Sequence, residues 1–134
     1  MKYILDKNVL THDVTENIDK RDDLCITQDV LEEAGFNDQE IIKIKKAGVH
    51  VLNVSKKHLQ KLVEVMANHG NNLKLINLYP GKGTADVVMI AYVLSEQENP
   101  ETLFTEQYTI VTNDKELTSV ATKCGIECVT QIPL

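Results

Sequence analysis

Short apolar runs alternate along the chain with longer stretches whose apolar positions recur every three or four residues. That alternation predicts a parallel sheet wrapped by helices. Lys2–Leu5 reads as a first strand ending at Asp6, and 24–26 as a second. Thr27 then caps a helix carrying Val30, Leu31 and Ala34, closed by Gly35. Residues 38–47 form a short amphipathic helix stopped by Gly48, followed by a third strand over 49–54. Ser55 caps the next helix, in which Leu59, Leu62, Val63 and Met66 fall at i, i+3, i+4 and i+7, so that face is expected in the core. Gly70 and Asn71-Asn72 break it. Residues 73–83 show no period and end as a loop at Pro80, Gly81 and Gly83. Residues 85–94 are apolar on almost every side except at Asp86, which predicts a helix packed in the middle of the molecule. A polar connection over 96–107 leads to a fourth strand, 109–112. Asp114 follows, then a helix with Leu117, Val120, Ala121 and Cys124 on one stripe, ended by Gly125, and a last strand over 126–130. Without repeats or linkers, residues 1–134 read as a single α/β domain.

Composition narrows the class. The chain has 134 residues, 43% hydrophobic and 25% charged, values of an ordinary soluble domain rather than a disordered or collagenous one. No apolar run is long enough for a membrane span, and Asp6 interrupts the start too soon for a secretory signal, so a cytosolic protein is expected. Three cysteines cannot close a disulfide set and are read as reduced. With 14 Lys+Arg against 20 Asp+Glu, the net charge is −6, which argues against a protein whose main task is to coat nucleic acid but not against an enzyme acting on it. Arg21 is the only arginine, so bidentate phosphate or guanine contacts are scarce.

In open parallel sheets ligands collect beyond the carboxyl ends of the strands. Asp6 follows the first strand there, with Asn8 on the same side, and Asp114 follows the fourth. Each of these also suits a helix cap, and either role is compatible with the junction. Asp86 is different, because a carboxylate beside so apolar a helix is costly unless something cationic meets it. On a helical wheel Glu33 lies nearer than Glu32 to the apolar face of Val30, Leu31 and Ala34, so Glu33 is expected to look inward and Glu32 outward. Converging carboxylates raise one another's pKa, and a divalent cation relieves the repulsion. All-oxygen donors point to Mg²⁺ or Mn²⁺, and no His or Cys pair has a spacing suited to zinc. Such an ion with one face open to a phosphate is the setting for metal-assisted phosphodiester cleavage.

These segments resemble the PIN domain family of metal-dependent nucleases over essentially the whole chain. Tyr3-Ile4-Leu5-Asp6-Lys7-Asn8-Val9-Leu10 fits the opening strand and first acid, and Thr27-Gln28-Asp29-Val30-Leu31-Glu32-Glu33 the helix that ends on the second. Gly83-Thr84-Ala85-Asp86-Val87-Val88-Met89-Ile90-Ala91 matches the acid that opens a buried helix. Ile110-Val111-Thr112-Asn113-Asp114-Lys115-Glu116-Leu117 matches the last motif, and Gly125-Ile126-Glu127-Cys128-Val129 resembles the closing strand. The resemblance implies a three-layer α/β/α fold with a central, mostly parallel sheet. It implies that Asp6, Glu33, Asp86 and Asp114 are the catalytic, metal-binding residues, supported by Asn8, Thr112, Asn113 and Glu116. One or two Mg²⁺ or Mn²⁺ ions would activate water against a phosphodiester, with RNA the expected substrate and no protein nucleophile. In the toxin-like branch of the family an antitoxin covers the pocket and dimers are common, which extends the expected partners to an inhibitory protein and a homodimer.

Other features weigh less. Gly81-Lys82-Gly83-Thr84 lacks the spacing of a phosphate loop and reads as a rim carrying one lysine toward substrate. Cys124 and Cys128 read as core thiols. The histidines at 12, 50, 58 and 69 are scattered and lack a nucleophile motif, and His12 is expected at the surface. Lys43, Lys45, Lys46, Lys56, Lys57 and Lys61 read as solvated helix faces, or as a track guiding RNA to the acids. The competing reading is a PIN-like module that binds nucleic acid or protein without cutting. A phosphorylated receiver domain needs paired acids after the first strand, an acceptor Asp after the third and a Lys after the fifth. The chain offers Asp6 alone, Ser55, and Gln131-Ile132-Pro133 in those places, so fold analogy alone carries that reading no further.

Overall fold

The computed structural model describes residues 2–9, 23–69, 84–97 and 107–132. Five parallel strands, β1 (Lys2–Leu5), β2 (Leu24–Thr27), β3 (His50–Leu52), β4 (Tyr108–Val111) and β5 (Glu127–Val129), form one sheet in the order β3-β2-β1-β4-β5. The chain leaves β1 toward β2 and β3, then returns to β4 on the other side of β1. The order therefore reverses between β1 and β4, and in open parallel sheets such a reversal is where ligands collect beyond the carboxyl ends. Register across that seam pairs Leu5 with Val111, so Asp6 and Thr112 leave the sheet side by side. Helices α1 (Gln28–Glu33), α2 (Asp38–Lys46), α3 (Lys56–His69), α4 (Thr84–Gln97) and α5 (Lys115–Lys123) complete a three-layer α/β/α fold.

Burial explains why the inner strands are continuous apolar runs. Every residue of β2 and β4 is buried, whereas the edge strands β3 and β5 keep an exposed first residue, as expected where a central strand is covered on both faces. Helix α4 is apolar nearly all round, with Ala85, Val87, Val88, Met89, Ile90, Ala91 and Val93 buried. It packs against both α1 and α3, which accounts for the lack of a polar stripe. Among the described residues no helix is long and apolar enough to cross a membrane. Gly35, at φ 76°, ends α1 by letting Phe36 N–H reach Leu31 O at 3.2 Å and its own N–H reach Glu32 O at 3.1 Å. Those two bonds satisfy carbonyls that the helix end would orphan.

The central strands and the caps at Thr27 and Asp114 match the sequence pattern, whereas the Ser55 hydroxyl pairs with His58 Nδ1. The edges shorten the pattern: β3 covers only three of the six residues expected. Helix α3 departs further. Leu59 and Val63 are exposed, at 51% and 69%, so the face expected in the core is not the one that packs. Leu62 does pack against the core, and His58 is buried at 4%. The buried stripe is turned by about one residue from the apolar one. The cause is the satisfaction of the His58 ring at both nitrogens. Ser55 N–H donates to Nδ1 at 2.9 Å, which leaves the ring hydrogen on Nε2, 2.8 Å from Glu96 Oε1 on α4. The ring also stacks on Tyr92, with centroids 4.3 Å apart, and Tyr92 meets Tyr108 of β4 edge-on. Burial pushes the Glu96 carboxyl up, but the His58 hydrogen bond and Lys57, 3.2 Å away, outweigh it and hold the group below the usual range. His58→Ala removes the stacking and the ring's bonds to Ser55 N–H and to Glu96, which keeps only Lys57, and is expected to destabilise the protein by about 1 to 3 kcal/mol in urea unfolding. A loss under about 0.5 kcal/mol would show that this histidine does not tie α3 to α4.

The two lysine groups lie apart. Helix α2 ends just before β3 begins and α3 starts just after it ends, so Lys43, Lys45 and Lys46 belong to the amino edge of the sheet and Lys56 and Lys57 to the carboxyl edge. A single track through all six is not what this topology offers. The loop at Pro80 to Gly83 and the placement of His12 and Met66 lie outside the described residues or side chains.

Candidate active site

Asp6 is the first residue beyond β1. Its N–H donates to Val111 O of β4 at 3.0 Å, and the residue is 3% exposed. Both carboxylate oxygens are held: Lys7 N–H donates to Oδ1 at 2.8 Å and the Thr112 hydroxyl to Oδ2 at 2.7 Å. Thr112 Oγ1 accepts in turn from Asp114 N–H at 3.0 Å. One hydroxyl thus links the residue after β1 with the residue that opens α5. Charge-assisted bonds of this kind fix a buried carboxylate in place.

Asp114 is the N-cap of α5, its Oδ1 accepting from Glu116 N–H at 2.8 Å and Leu117 N–H at 3.1 Å. Capping and proximity to the other acids are therefore both realised in this side chain. Asn8 accepts from Asn113 N–H at 3.2 Å, tying the 3₁₀ turn Lys7–Val9 to the loop after β4. Of the four residues expected in support, Thr112, Asn8 and Asn113 stitch the two sides of the seam together, and Glu116 enters through its backbone.

The helices bring the other two acids. Glu33 is the last residue of α1, its side chain 13% exposed and facing inward, while Glu32 is exposed. Asp86 lies in the first turn of α4. Burial raises its carboxyl first, then the negative charges of Asp6, Asp114 and Glu33, with Lys7 pulling the other way, and the result is a pKa pushed up to about 7. The four acids expected from the sequence, drawn from four separate segments, thus share one electrostatic field. Lys7, whose Nζ lies 3.8 Å from Glu33 Oε2, has no role in the sequence reading; its position directly after the first acid is the signal for it.

The donor set fits a hard divalent cation in kind. Its ligating atoms are carboxylate oxygens, and their mutual repulsion, registered at Asp86, is what a dication would relieve. Among the described residues no three His, Cys, Asp or Glu side chains are gathered tightly enough to hold an ion as they stand. Asp6 and Asp114 are pinned by hydrogen bonds, whereas Glu33 and Asp86 ride on helices that meet each other.

No curated protein matches the chain in sequence. A family model described as PIN domain matches residues 3–131, nearly its whole length. The parallel sheet, the acids beyond its carboxyl edge and this match agree: the chain belongs to the PIN domain family, whose members are generally nucleases.

Proposed function

We propose that this protein is a Mg²⁺- or Mn²⁺-dependent endoribonuclease acting as one domain in the cytosol, with Asp6, Glu33, Asp86 and Asp114 as its metal-binding and catalytic residues. The observation that carries the reading is the convergence on Asp86 of negative charge from Asp6, Asp114 and Glu33 beside the β1/β4 seam. Asp6 and Asp114 would hold the ion from the sheet, and Asp86 and Glu33 from the helices. A bound dication supplies a polarised phosphate and a more acidic water. Thr112 keeps the Asp6 carboxylate aimed out of the sheet, and Asn8 with Asn113 keeps the two loops from separating. Asp86 can hold a proton near neutrality and must give it up for an ion to be bound.

A module that binds without cutting is the second reading, favoured by the single arginine and the net charge of −6. End-labelled single-stranded RNA and DNA of one sequence, incubated with Mn²⁺, Mg²⁺ or EDTA, separate the two. Cleavage of the RNA with either metal, abolished by EDTA, is expected. RNA left intact under every metal condition would remove the nuclease proposal, and preferential cutting of DNA would remove its RNA specificity.

A further inference from the structure

Lys7 stands where a cation is wanted. It opens the 3₁₀ turn directly after Asp6, and its backbone N–H already donates to Asp6 Oδ1. Its side chain is half-exposed, yet the ammonium turns back to within 3.8 Å of Glu33 Oε2, whose side chain is 13% exposed. The contact is long and one partner is wet, so the pair is weak and easily broken. A dication, with twice the charge and direct oxygen contact, outcompetes an ammonium for the same carboxylate.

We propose that Lys7 is a tethered counterion: its ammonium occupies Glu33 in the metal-free protein and is displaced toward solvent when a divalent ion enters, so that Lys7 lowers metal affinity. The proposal rests on the reading of the four acids as a metal centre. Two physical effects act in the same direction. Glu33 must exchange the ammonium for the ion, and the ammonium, still attached one residue from Asp6, repels the ion electrostatically. Neither involves the fold, because the Lys7 side chain is half in water, and Gln at this position removes the charge while keeping a polar chain one atom shorter.

Calorimetric titration of the full chain with MnCl₂ tests this without reference to cleavage. Lys7→Gln is expected to bind Mn²⁺ about three- to tenfold more tightly than the parent, as the removal of a weak competing ion pair allows. Lys7→Arg, which keeps the charge, is expected to match the parent within about twofold. Unchanged urea midpoints for both variants confirm that folding is not being read. Equal or weaker binding by Lys7→Gln overturns the counterion and leaves the metal centre standing. Tightening by Arg as large as by Gln also overturns it, since charge is then not the cause. Absence of a specific Mn²⁺ site in all three proteins overturns both the counterion and the metal reading.

Discussion

Asp6→Asn and Asp114→Asn are each expected to lower metal-dependent RNA cleavage by at least about a hundredfold while leaving the protein folded. An amide keeps the size of the carboxylate and loses its charge, so a dication loses one of its anionic donors. The hydrogen bonds survive the exchange better than the charge does. Asn is as good an N-cap as Asp, so Asp114→Asn can still accept from Glu116 and Leu117 N–H and start α5. At position 6 the amide oxygen can accept from Lys7 N–H, and its NH₂ can donate to Thr112 Oγ1 in place of the bond it received. Urea midpoints near the parent's, beside lost cleavage of labelled RNA in Mn²⁺, are the expected pair of results. Variants cutting within a few-fold of the parent would show that these carboxylates do not perform the chemistry.

Asp86→Asn is expected to have the second large effect, on stability as a function of pH. In the folded protein this carboxyl keeps its proton up to about 7, against an ordinary value of 3.8. Between those two values the folded state binds a proton that the unfolded chain has released. Stability from this group is therefore greatest under acid conditions, falls as pH rises toward about 7, and is flat above. Asn is uncharged at every pH and removes that slope. In metal-free buffer the variant should be more stable than the parent by roughly 2 to 4 kcal/mol near pH 8, and by under about 2 kcal/mol near pH 5. Urea unfolding at the two pH values measures both differences. A gain independent of pH would mean that neither burial nor the neighbouring acids raise the Asp86 carboxyl in the folded protein. In the parent, Mn²⁺ affinity should rise with pH up to about 7 as the competing proton leaves.

Much of the fold was legible because its causes are local. The apolar runs of β2 and β4 announce strands buried on both faces, and Gly35, Gly48 and Gly125, all at positive φ, mark the helix ends they close. The packed face of α3 was not legible. His58 counts as polar in any periodicity, and what makes it a core residue is Glu96, 38 positions away. At the site, Asp6 and Asp114 could be found as acids after strands, and Glu33 could be told from Glu32 by its place on the helical wheel. Asp86 stood out by the cost of its surroundings. The ion pair between Lys7 and Glu33 could not be read in advance, because it depends on where the end of α1 lies relative to the turn after β1.

The Thr112 hydroxyl, which gives to Asp6 and takes from Asp114 N–H, makes one jaw of the cleft stationary. Glu33 and Asp86 form the opposing jaw, mounted on two helices that can slide over each other without breaking a sheet bond. Under the proposed metal reading the gape is set by helix packing, so substitutions between α1 and α4, well away from the carboxylates, are expected to retune which ion radius is preferred.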